Sequence, residues 1–147
     1  WRWAQGGSGQ LVEFLTPAFG DETIRDLPAL GVNAQALNYL NFLIASPIHA
    51  AAIYRSGVLV QLPRPERYAI HKLIIADRRR DGAGSLKSAK DREQAAFLIK
   101  ALAEDRPYDL TDAYAAANDV GPRWREHIGN SLKRMRETKA IIDSLGA

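Results

Sequence analysis

The stretch Arg64-Pro65-Glu66-Arg67-Tyr68-Ala69-Ile70-His71-Lys72-Leu73-Ile74-Ile75-Ala76-Asp77-Arg78-Arg79-Arg80 is the one around which the chain is organised. Pro65 suits a first helical position, where its missing N–H would have had no partner in any case. Residues spaced about 100° apart place Tyr68, Ala69, Ile70, Leu73, Ile74, Ile75 and Ala76 on nearly every side, which predicts a helix buried around most of its circumference. Lys72 and Arg79 are seven residues apart, so they project the same way, two turns and roughly 10 Å from each other. His71 and Arg78 form a second, adjacent pair.

A lysine in so apolar a helix is open to two readings. Its stem can lie on the core with the ammonium in water, or Lys72 and Arg79 can line a cleft and hold phosphate. The segment Ser88-Ala89-Lys90-Asp91-Arg92-Glu93-Gln94-Ala95-Ala96-Phe97-Leu98-Ile99-Lys100-Ala101-Leu102 bears on the choice. Asp91 shares a stripe with Ala95, Leu98 and Leu102, whereas Lys90, Arg92, Glu93 and Lys100 point elsewhere. An ionised carboxylate at a core-facing position needs a partner, because desolvation costs several kcal/mol. Lys72 or Arg79 is the obvious candidate. Asp91 can also be a first-turn acid that favours its own helix N-terminus, and the two roles can coexist.

The composition narrows the classes. A chain of 147 residues with no cysteine excludes disulfides, thiolate metal sites and cysteine nucleophiles, and is compatible with the cytoplasm. Its apolar runs are too short to span a bilayer, so no membrane partner is expected. The formal charge of +3 is spread along the chain, with local concentrations at Arg78 to Arg80 and Lys133 to Arg136. Trp1 rather than Met stands first, and the expectation is a later part of something longer.

Residues 1 to 15 predict a hairpin: Trp1 to Ala4, a Gly6-Gly7-Ser8-Gly9 turn, then Gln10 to Leu15. Glu13 lies between Val12 and Phe14, so it faces opposite to both on a regular strand. Residues 16 to 35, with Pro17, Gly20, Pro28 and Gly31, read as a loop, and Ala36 to Ala45 as a short buried helix or a strand. Ile48 to Tyr54 and Val58 to Leu62 flank Arg55-Ser56-Gly57 as a second hairpin, in which His49 is structural. From Pro63 the pattern is helical. Asp81 to Ser85 forms a polar link, a third helix begins near Pro107, and a fourth follows Gly121-Pro122 with Trp124, Ile128, Leu132, Met135, Ile142 and Leu145 along one side. The expected division is 1–62, mixed α/β, and 63–147, helical.

Taken together, Leu11 to Pro17, Leu40 to Ile44, Gly57 to Val60, Pro65 to Ile74 and Lys87-Ser88-Ala89-Lys90-Asp91 resemble bacterial nucleotidyltransferase-fold proteins of the DNA polymerase β superfamily, most clearly over residues 10 to 105. More distantly, the sequence is similar to nucleotidyltransferase toxins of abortive-infection systems, whose third and fourth motifs are a lysine with an arginine seven residues on, and a later aspartate. Lys72, Arg79 and Asp91 match that pattern. The resemblance implies an α+β fold, in which the remnant of a mixed-sheet palm is followed by a helical bundle of about four helices.

It also implies transfer of a nucleotidyl group from an NTP to a hydroxyl acceptor, RNA or protein, with Mg²⁺ held by three carboxylates. Glu13 stands where the third of these is expected. Lys72 and Arg79 would bind phosphate, Lys as a point charge and Arg as a planar fork, and Asp91 would orient one of them. The sequence contains no Gly-Ser followed by the paired acids of that family, since Asp21-Glu22 lacks the strand context and the alternate spacing. On this expectation the chain is a C-terminal portion carrying part of the active site, with the paired acids upstream of Trp1. The alternative is a non-catalytic helical interaction module, or one that binds RNA through Arg78 to Arg80 and the last helix.

Overall fold

A computed structural model describes residues 1–4, 7, 9–53 and 56–146. The fold is α+β, with strands first and a helical bundle after them. Two compact units divide after Ala45, whereas the change of sequence character falls near residue 62; the second hairpin therefore belongs to the same unit as the helices.

The first unit begins with the expected hairpin. β1 (Arg2–Ala4) pairs antiparallel with β2 (Leu11–Glu13) in a register that sets Arg2 opposite Glu13. The expected glycine turn falls partly on Gly6 and Ser8, which lie outside the described residues. Beyond it, the segment expected as a loop forms a three-stranded sheet. β3 (Leu15–Ala18) runs parallel to β5 (Val32–Asn38), which also pairs antiparallel with β4 (Ile24–Leu27). Pro17 is tolerated because β3 is an edge strand, and Gly31, at φ 63°, closes a short 3₁₀ turn before β5. Proline and glycine here punctuate strands. The central strand buries Ala34 and Ala36, too small to have given an apolar signal. The helix expected from Ala36 is α1 (Leu40–Ile44), shorter because β5 runs through Asn38.

In the second unit, β6 (Ile48–Ala52) and β7 (Val58–Leu62) form the other hairpin, with His49 opposite Gln61 and their side-chain nitrogens 3.3 Å apart. Its turn falls partly on Tyr54 and Arg55, outside the described residues. Five helices follow: α2 (Pro65–Arg78), α3 (Ser85–Asp105), α4 (Pro107–Asp119), α5 (Pro122–Lys133) and α6 (Arg136–Ser144). Three of them begin on proline, the position at which a missing N–H costs nothing. The single last helix expected from the sequence is two, broken at Met135, whose backbone is non-helical although the apolar spacing continues across it.

α2 is the axis of the bundle and packs against α3, α4 and α5. Ala69, Ile70, Leu73, Ile74 and Ala76 are fully buried, facing apolar residues that include Ile99, Leu110 and Ile128 of the surrounding helices. Two buried serines tie the neighbours to its backbone: Ser88 of α3 donates to the Ala76 carbonyl and Ser131 of α5 to the Leu73 carbonyl, each at 2.6 Å. Gly84, just before α3, is confined too. A Cβ there would stand 2.9 Å from the Arg79 carbonyl oxygen, so the link from α2 to α3 turns against the end of α2 itself. Removing the buried Leu73 side chain (Leu73→Ala) should cost about 2–5 kcal/mol of unfolding free energy, through lost burial plus the cavity left behind. Urea denaturation followed by circular dichroism measures it.

Candidate functional site

The i, i+7 spacing on α2 and the core-facing acid on α3 converge as the sequence suggests. Lys72 Nζ donates to Asp91 Oδ1 at 2.6 Å, and Arg79 Nη1 donates to Oδ2 at 3.0 Å. Each carboxylate oxygen thus accepts from a different cation. The Asp91 side chain is 4% exposed, Lys72 16% and Arg79 48%, so the cluster opens from a buried acid to a half-exposed guanidinium. The Lys72 ammonium also lies 5.1 Å from the centre of the Tyr68 ring, within cation–π range.

Arg79 caps the end of α2, with its backbone N–H on the Ile75 carbonyl. Asp91 lies seven residues into α3, beyond the first turn, so the helix N-terminus does not account for it; its ion pairs do. Two cations against one acid leave a positive balance, and three ammonium and five guanidinium N–H groups are more than Asp91 engages.

His71 belongs to the same neighbourhood. Burial strips the ring of water, and Lys72 repels a second positive charge more than Asp91 attracts one. Arg79 and Arg78 add to the repulsion, and the imidazole is lowered to about 4. Its Nδ1 is buried and has no hydrogen-bond partner among the described residues.

Glu13 belongs to the first unit. Its Oε1 accepts from Arg2 Nε at 2.8 Å and lies 2.6 Å from Arg2 Nη2, the cross-strand neighbour that the register puts beside it. Its carboxylate is already matched by a guanidinium. Among the described residues no three His, Asp or Glu side chains group as metal ligands. An open cavity of about 410 Å³ in the first unit is lined by Trp1, Trp3, Asp26 and Asn33 among others, and by none of the expected site residues.

A second polar cluster escaped the sequence reading. Asp77, buried in the last turn of α2, accepts from His127 Nδ1 at 2.8 Å, from Asn130 Nδ2 at 3.4 Å and from Arg80 Nη1 at 3.2 Å. Burial opposes its ionisation, but the hydrogen bonds from His127 and Asn130 and the Arg80 charge outweigh it and hold the carboxyl below its ordinary value. An anion in the last turn of a helix is unfavourable to the macrodipole, and that was the available signal that partners were needed.

On the central helix two cations seven residues apart are thus held by one buried aspartate from the next helix. The family model described as Nucleotidyltransferase matches residues 1–119, and the chain belongs to that nucleotidyltransferase family. Comparison with curated proteins and with solved structures gives no match. Among the described residues no helix is long and apolar enough to cross a membrane.

The neutral His71 has a consequence for stability. An unfolded histidine titrates near 6.5 and the folded one near 4, so between these values the unfolded state binds more protons, and stability falls as pH drops from about 6.5 toward 4. Asp77 adds stability that is complete above its ordinary value of 3.8 and is lost as pH falls below it. Denaturation in urea at stepped pH should show the loss between pH 6.5 and 4 in the wild type, and a shallower slope in His71→Asn.

Proposed function

We propose that the chain binds a nucleoside triphosphate through Lys72 and Arg79 and takes part in transferring its nucleotidyl group to a hydroxyl acceptor. The observation that carries this reading is the shared Asp91. Two cations two helical turns apart are held by one buried acid, in a chain of a nucleotidyltransferase family. In the transfer, an acceptor oxygen forms a bond to the α-phosphorus as the bond to the bridging α–β oxygen breaks. Pyrophosphate leaves with that electron pair and the hydroxyl proton passes to water. Negative charge grows on the departing phosphates, and donors fixed beforehand stabilise it more than they stabilise the ground state. Lys72 supplies a compact charge and Arg79 a planar fork that suits two phosphate oxygens. Asp91 is a positioning residue, setting the rotamers of both.

On this reading the chain supplies the phosphate-binding part of an active site. Mg²⁺ enters on the nucleotide as its counterion, and Glu13 is the one candidate metal-binding acid that the family pattern places here. Protein and RNA are both suitable acceptors, and the exposed basic residues Arg123, Arg134 and Arg136 on the later helices favour an acidic one.

A second reading has a specific observation in its favour. With Asp91 fully desolvated and doubly paired, the cluster serves as a structural ion-pair network within a non-catalytic helical module. Lys72→Met separates the two. Arg79 still pairs with Asp91, so the variant should fold with a loss of about 1–3 kcal/mol from the unpartnered oxygen. Calorimetry with Mg²⁺ and each of ATP, GTP, CTP and UTP should show binding of at least one by the wild type and none by Lys72→Met. A folded wild type that binds none of the four would leave only the structural reading.

A further inference from the structure

His71 stands beside the Lys72–Asp91–Arg79 cluster of the second unit, half-buried as a residue but with its Nδ1 buried. It precedes Lys72 on α2. The groups that act on it are Lys72, Arg78 and Arg79 from its own helix and Asp91 from α3. Its Nδ1 is shielded from water without a protein donor or acceptor among the described residues, an uncommon state for a polar atom in a native interior. By contrast His127, on α5, has a carboxylate against its Nδ1, and His49 has Gln61 across its strand.

The charges around His71 make its state depend on what the cations hold. Lys72 and Arg79 against the single Asp91 are a potential that attracts polyphosphate, and the same potential repels an imidazolium. An anion seated on Lys72 and Arg79 cancels that repulsion and adds an acceptor near the ring. We propose that His71 is a third contact for the polyphosphate: when the anion binds, the imidazole takes up one proton from solvent and donates a hydrogen bond to a phosphate oxygen. This rests on the phosphate reading of Lys72 and Arg79 and goes beyond it by giving the site a proton-linked third member. The balance is simple. One proton moves from water to a ring nitrogen, and no covalent bond of the ligand is made or broken. The linkage makes polyphosphate bind more tightly as pH falls through the range in which only the bound form is protonated. The ligand's own phosphate protonation works in the opposite direction.

The chain has three histidines, so imidazole ¹⁵N NMR can follow each one separately. The experiment uses the wild-type chain at about pH 6, between the free-state value of His71 and that of an ordinary histidine, without and with saturating inorganic tripolyphosphate and no metal. His71→Asn identifies the signal and is needed for nothing else. Without ligand, His71 should give the spectrum of a neutral ring. With tripolyphosphate it should give that of an imidazolium, its titration midpoint rising from about 4 to above the working pH, which is more than about two units, or a hundredfold gain in proton affinity. His49 should not move. If the Lys72 ammonium and Arg79 guanidinium signals respond to tripolyphosphate while His71 stays neutral, this inference is overturned and the phosphate site stands. If none of the three responds, both fall together.

Discussion

The buried carboxylate of Asp91 is the constraint on which the second unit depends. Taking an aspartate out of water costs several kcal/mol unless its oxygens are matched, and here a different cation answers each oxygen. The match comes from two helices at once, so it fixes the rotation of α3 relative to α2 as well as the side chains. A one-residue slip of α3 would turn Asp91 about 100° away from both partners and bury it alone. The pair is thus a register lock for the helices and, in the same stroke, a device that holds two long, flexible side chains in one conformation.

That lock works because α2 is packed tightly on its other sides. Ile70, Leu73 and Ile74 leave it no freedom to roll, and the hydroxyls of Ser88 and Ser131 bring α3 and α5 close to its carbonyls. At its end, Asp77 is held from α5 by His127 and Asn130. The helix therefore carries two acid-centred clusters at different places along its length, one made with α3 and the other with α5. Apolar burial supplies the driving force, and these clusters select one arrangement from the several that burial alone would allow.

Much of this was legible before any coordinates. Prolines at first helical positions announced α2, α4 and α5, and the near-continuous apolar surface of residues 68–76 announced a central helix. The cation pair could be read because helical spacing is regular, and Asp91 because a lone acid on an apolar stripe demands a partner. Other features were hidden for physical reasons. The strands between Leu15 and Asn38 include one proline and a buried alanine pair, with a second proline in the turn between them, so they imitate a loop. The break at Met135 interrupts no apolar spacing. Arg2 beside Glu13 is a cross-strand neighbour set by register, and Asp77 with His127 spans fifty residues of sequence; neither can be found from local pattern.

The tight approach of Gly84 to the Arg79 carbonyl has a reach beyond the turn it occupies. The guanidinium projects from a residue whose own main chain is braced by a hydrogen atom where any other amino acid would carry a carbon. The backbone that carries a charged side chain is thereby constrained by an uncharged position five residues further on. A substitution at Gly84 would therefore be felt first at the main chain of Arg79, with every polar contact group intact.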